Sequence, residues 1–256
     1  MRSIILLLVL SAAITSCTSM YIPHPPSAPL LKHGGDVRLA ANTSLVSMTN
    51  LNASVALTGN VVLTGEASFD PITGPGMLIP EKGNLNADIG LGYMMPFGEK
   101  WLGELIVGGG FGSGRMLNNA EDLAGTVTFR QAEYKQAYAQ AAIMYDRGDA
   151  EFVYQLRTTA LFFDRYRETE LHKRWLEEGI VVNVIEGFPN TLIWEHTFLR
   201  RLEVMKDLDA QVFVNISHYT GPARQTIHAG FNVGGGISYR FGEPRRQAAK
   251  RRNLVE

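Results

Sequence analysis

The sequence predicts an all-β protein, a closed antiparallel up-and-down transmembrane β-barrel of about ten strands, from three observations. Apolar residues alternate with small or polar ones in about ten segments from Asp36 onward. A period of two means a strand with two unlike faces. The links between these segments alternate between short and long, and no apolar run after the first 16 residues reaches the length of a spanning helix.

At 256 residues the chain suits one barrel domain. Its 24 basic and 25 acidic residues leave no charge excess of the kind that marks a nucleic-acid partner.

Residues 1–16 form a secretory signal: Arg2, an apolar run from Ile4 to Ile14, then small residues before Cys17. Cys17 is the only cysteine, so an intramolecular disulfide is excluded. Ile14-Thr15-Ser16-Cys17 resembles the lipobox of bacterial lipoproteins, which implies a lipidated N-terminal Cys17. The alternative is an ordinary signal peptide with an incidental cysteine. Residues 17–35 carry Pro23, Pro25, Pro26 and Pro29 before Gly34-Gly35, too much proline for a helix or central strand. They read as an extended tether.

The barrel is expected over residues 36–241. Strand one turns Val37, Leu39, Ala41 and Thr43 to one face, strand two Leu51, Ala53, Val55 and Leu57, and strand three Val61, Leu63, Ala67 and Phe69. Strand four opposes Leu85, Ala87, Ile89, Leu91 and Tyr93 to Asn86, Asp88, Gly90 and Gly92. The fifth, from Trp101 to Ser113, contains Gly108-Gly109-Gly110, a run that suggests a bulge. The sixth, Tyr134 to Tyr145, sets Gln136, Tyr138 and Gln140 inward. The seventh follows Asp146-Arg147-Gly148-Asp149, an Arg-Gly-Asp tripeptide that reads as a hairpin turn. Strand eight spans about Thr191 to Arg201. Strand nine alternates Leu208, Ala210, Val212, Val214 and Ile216 with Asp209, Gln211, Phe213, Asn215 and Ser217. Strand ten, Ala229 to Phe241, is apolar or glycine at every second residue and small or polar between. An even number places both chain ends on one side, where the turns should be short.

Long outer links are expected around 71–83, 114–133 and 165–189, the last with a short helix from Glu168 to Glu178 that carries Leu171, Trp175 and Leu176 on one stripe. Trp175 is a candidate docking point for a protein partner. Outward Tyr93, Trp101, Tyr145, Phe152, Tyr154, Tyr239 and Phe241 cluster near the short-turn end as an interfacial girdle against lipid. The tail 242–256, with Arg245, Arg246, Lys250, Arg251 and Arg252, would lie in the periplasm near anionic headgroups.

Cys17, Tyr21-Ile22-Pro23, Pro29-Leu30-Leu31 and Gly34-Gly35 before alternating strands resemble a family of small outer-membrane β-barrel lipoproteins of Gram-negative bacteria. The resemblance implies an outer-membrane location and a lipid anchor, but no chemistry. Gly236, Tyr239 and Phe241 are similar to the C-terminal signal read by the barrel-assembly machinery, although fifteen residues follow Phe241.

Inward candidates of both signs are Arg38, Glu66, Asp88, Glu104, Glu151, Arg157, Glu195, Arg201, Asp209 and Arg240. In a narrow barrel such charges must pair, so the preferred reading is an ion-pair network that plugs the lumen. A narrow selective channel lined by the same residues is the first alternative. A lipid hydrolase or acyltransferase would need a nucleophile beside a base, but Ser217-His218 and Glu195-His196 are chain neighbours that point to opposite faces. A soluble lipocalin-like lipoprotein would need charges on its water face. No spacing suits a metal, no motif suits a cofactor, and the expected role is structural, binding or scaffolding through the outer loops rather than enzymatic.

Overall fold

The computed structural model describes residues 28–44, 49–69, 82–118, 126–172, 181–187, 190–220 and 230–242. The strands are β1 (Val37–Ser44), β2 (Thr49–Ala56), β3 (Val61–Phe69), β4 (Lys82–Phe97), β5 (Trp101–Asn118), β6 (Thr126–Asp146), β7 (Ala150–His172), β8 (Val181–Glu186), β9 (Thr191–Met205), β10 (Leu208–Thr220) and β11 (Gly230–Phe241). Every pairing is antiparallel. Ten strands close through β1–β11, β6–β7 and β7–β9, while β8 lies outside the closed ring and, among the described residues, pairs only with the upper part of β7.

Alternation sets the two surfaces. Ile89, Val107 and Phe111 are 60%, 64% and 63% exposed, whereas the inward-facing Asn86, Ile106 and Glu104 of the same two strands are buried. From Trp101 to Phe111 the wall rises about 25 Å, at ~3.3 Å per residue and a ~40° tilt. Above this apolar band the outward positions become charged, with Lys135 and Asp164 2.9 Å apart.

The lumen holds large side chains because glycine faces them. A Cβ on Gly108 would lie 2.6 Å from the Tyr138 ring, and one on Gly112 or Gly234 would run still closer into the Tyr134 or Phe213 ring. The glycine run of β5 is therefore a slot for the aromatics of β6, and β4–β5 pair through it without a register shift. This corrects the expected bulge. An irregularity lies instead in β7, where Tyr134 pairs with Phe163 and Glu133 with Arg165, leaving Asp164 as the extra residue.

Two other expectations are corrected. The segments 114–133 and 165–189 are partly strand: β5 and β6 pair up to Asn118 and Thr128, and β6 and β7 up to Thr126 and His172. Glu168–His172 is thus extended rather than helical, because ladders to β6 and β8 satisfy the backbone on both sides. The remainder of the expected helix, including Trp175, lies outside the described residues, as do residues 1–27 with Cys17 and the tail beyond Gly242.

The third correction concerns the tether. Ala28, Leu30 and Leu31 are 0%, 1% and 1% exposed, packed in one cluster with Ala56, Val62, Met94, Leu102, Met144, Val153 and Leu199 at the short-turn end of the lumen. The end of the segment read as an extended tether is an internal stopper.

Candidate functional site

The lumen is filled in layers, starting from the closed end. Beside the apolar stopper, at the same end, lies a charged layer whose hub is Glu151, the first inward carboxylate of β7. It accepts Arg201 at 3.4 Å and lies 3.5 Å from Arg38 and 4.0 Å from Arg240. Arg38 also lies 3.8 Å from Asp209. The same groups grip the N-terminal segment through its backbone: Arg38 donates to the Pro29 carbonyl at 2.6 Å, Arg201 donates to the Ala28 carbonyl, and Glu104 accepts the Leu30 N–H at 3.0 Å. Pro29 supplies no N–H, but its carbonyl is available to Arg38. Leu30 has a φ of 45°, a left-handed conformation that a leucine adopts only when its surroundings impose it. At the short-turn rim, Lys32 pairs with Asp146, the last residue of β6, and the Gly35 N–H bonds the Ala56 carbonyl at 2.7 Å.

Further up, Arg157 crosses the lumen. It reaches Glu66 at 3.1 Å and Asp88 at 2.8 Å on the opposite wall, with Glu195 at 3.9 Å beside it. Its guanidinium lies over the Tyr138 ring, 3.8 Å from the centroid, in a cation–π arrangement. Amides complete the network: Asn50 donates to Glu66 and to Ser68, and Gln136 donates to Asn86 at 3.0 Å and Asp88 at 3.2 Å. The uppermost layer is apolar and aromatic, with Ala132, Tyr134, Leu161, Tyr166 and Ile193.

The ten inward charged residues named from the sequence thus fall into two clusters. Arg38, Glu104, Glu151, Arg201, Asp209 and Arg240 belong to the lower, with Glu151 as its hub, and Glu66, Asp88, Arg157 and Glu195 to the upper. The partnership with Ala28 to Leu30 had no sequence signal, because a proline-rich stretch carries no periodicity.

On the outer surface, Tyr93, Trp101, Phe152, Tyr239 and Phe241 are exposed and Tyr145 and Tyr154 partly so. Trp101 lies 4.8 Å from Tyr145, and Tyr239 4.6 Å from Phe241. Gly236 faces inward against Asn42. The two His-containing dipeptides split across the wall. Ser217 is inside, accepting the Gly230 N–H at 3.3 Å, while His218 stacks outside between Trp194 and His196. Glu195 is inside beside Arg157, and His196 outside shares a 2.9 Å hydrogen bond with Tyr154.

Comparison with protein-family models found no match, and comparison with curated proteins found none. Among solved structures, the chain is similar to the KdgM porin (12% identity, TM-score 0.37, 81% of this chain and 99% of that one). It is also similar to the translocator domain of the autotransporter NalP from Neisseria meningitidis (12%, 0.37, 80% and 87%) and to the NanC porin (9%, 0.35, 80% and 98%). Likeness of this degree carries no argument about function. Closure of ten antiparallel strands, an apolar outer band and a polar lumen are observed directly. The fold is that of outer-membrane barrels.

Proposed function

We propose that the chain is an outer-membrane lipoprotein barrel of a Gram-negative bacterium whose lumen is sealed, and that it acts as a structural or scaffolding element through its outer face. The observation that carries the reading is the stopper. Ala28 to Leu31 fill the closed end and are held by three lumenal side chains from three different strands. Water and ions would have to pass that apolar plug with the ion-pair cluster beside it, then the buried ion pairs around Arg157.

The stopper also gives the lipobox resemblance a physical meaning. Ten residues separate Cys17 from Ala28, eleven Cα steps that span at most ~38 Å of extended chain, so a lipidated Cys17 would reach the periplasmic leaflet while Leu30 stays inside. The outer loops, Trp175 among them, are the surface left for a protein partner. Insertion would rest on the assembly machinery reading Gly236, Tyr239 and Phe241.

Planar-bilayer recording tests the seal. Wild type is expected to be silent, and Leu30→Asp combined with Leu31→Asp, which drives charge into the stopper, to produce discrete openings. Steady conductance from wild type would replace the sealed barrel with the narrow channel. Carbonate extraction of Cys17→Ser separates anchor from barrel: the variant should remain in the membrane fraction and still shift on boiling.

A further inference from the structure

Four cations stand on the outer wall where the apolar band ends, at the end opposite the short turns. The registers of β5, β6 and β7 lay out the outward rows. Phe111, Lys135 and Phe162 form the last row with apolar members, Ser113, Glu133 and Arg165 the next, and Arg115, Gln131 and Arg167 the one above. Arg115 and Arg167 thus flank Gln131 across three strands, roughly 10 Å apart. All four cations are exposed, Arg165 by 82% and Lys135 by 69% of the side chain.

Carboxylates occupy only part of this charge. Asp164 takes Lys135 at 2.9 Å and Glu133 takes Arg165 at 3.7 Å, while Glu186 of β8 is the register neighbour of Arg167. Among the described residues no ion pair involves Arg115 or Arg167.

The irregularity at Asp164 is what creates the patch. Below it the odd-numbered residues of β7 face the lumen, as Arg157, Thr159 and Leu161 do; above it Tyr166 is the buried one. Without the extra residue, Arg165 and Arg167 would point into the lumen. The single insertion moves both outside, one and two rows above Phe162.

We propose that Arg115, Lys135, Arg165 and Arg167 bind the phosphate groups of a phosphorylated glycolipid of the outer leaflet, with its acyl chains against Phe111 and Phe162. The proposal rests on the transmembrane reading above. Lipid is the committed source of phosphate because the patch is continuous with the lipid-facing band, and because interfacial cations add attraction for anionic headgroups one by one.

The test uses the folded full-length chain and vesicles of phosphatidylcholine alone, with diphosphoryl lipid A, or with its dephosphorylated form. Flotation with phosphatidylcholine alone scores the transmembrane reading, and detergent-stable retention of lipid A scores the site. Wild type should float in all three mixtures and retain only the phosphorylated lipid. Arg115→Gln with Arg167→Gln should float equally but bind lipid A roughly tenfold or more weakly, whereas Lys206→Gln in the opposite β9–β10 turn should match wild type. Heat-modifiable mobility confirms that the double variant is folded. Equal retention by the double variant, equal retention of dephosphorylated lipid, or displacement by inorganic pyrophosphate as effective as by lipid A overturns the site. Failure of wild type to float in any mixture overturns the transmembrane reading and the site with it.

Discussion

The two charged layers of the lumen use the same residue types but are balanced differently. In the lower layer three arginines, Arg38, Arg201 and Arg240, surround Glu151 with Glu104 and Asp209 close by, and two of them also hold backbone carbonyls of the stopper. In the upper layer a single guanidinium, Arg157, serves Glu66, Asp88 and Glu195. The lower layer is redundant and organised around a peptide; the upper depends on one side chain. Burying a carboxylate without a cation is far costlier than burying a pair.

The largest expected effect follows from this difference. Arg157→Met should destabilise the barrel by about 3–5 kcal/mol, since the buried carboxylates of Glu66, Asp88 and Glu195 lose their common cation. Arg240→Met should cost clearly less, because Arg38 and Arg201 remain at Glu151. Urea unfolding of the detergent-solubilised barrel, read by heat-modifiable mobility, makes the comparison. Equal losses would mean that redundancy in the lower layer has no energetic content. Adding Glu195→Gln to Arg157→Met should recover part of the loss, and a double-mutant cycle measures that coupling.

Packing of the lumen gives the next effect. Gly108→Ala places a methyl against both the Tyr138 ring that supports Arg157 and the Ile89 backbone carbonyl, and is expected to cost about 1–3 kcal/mol. The flexible tip of a side chain can yield, but a strand carbonyl cannot without shifting the β4–β5 ladder. Tyr138→Ala alongside Gly108→Ala should therefore relieve only a fraction of the strain. Full relief in the same unfolding assay would show that the ring alone sets the requirement for glycine.

The same contrast explains what could be read from the sequence. Inside and outside were legible at almost every position, because period-two alternation is a local property and both Arg157 and Glu151 obey it. Which charges meet was not. Arg157 and Glu66 are 91 residues apart and face each other only after closure and shear bring β7 across from β3. The stopper was illegible for another reason: Leu30 meets Glu104 74 residues away through its backbone N–H, and every residue type offers that group. The irregularity at Asp164 was hidden because its neighbours, Phe162-Phe163-Asp164-Arg165-Tyr166, read acceptably in either parity. The glycines of β5 were visible but misjudged, since only their pairing with Tyr134 and Tyr138 shows them to be slots.

The smallest effect lies outside the apolar band, at the upper rim of the tall β6–β7 wall. Burial alone would raise the Glu168 carboxyl, but hydrogen bonds from Arg130 and Tyr166 and the Arg130 charge outweigh it and hold the group below its usual range. A carboxyl whose pKa is depressed by folding contributes stability above its unfolded pKa, near 4.3–4.5, and loses it as pH falls through the folded value. Glu168→Gln should therefore lower the unfolding midpoint slightly at pH 7, by an amount equivalent to about 1 kcal/mol or less. At pH 3 the gap between variant and wild type should narrow. A gap that stays constant across that range would mean that Glu168 acts through packing and neutral hydrogen bonding. In that case the rim, unlike the two layers beneath it, would owe nothing to charge.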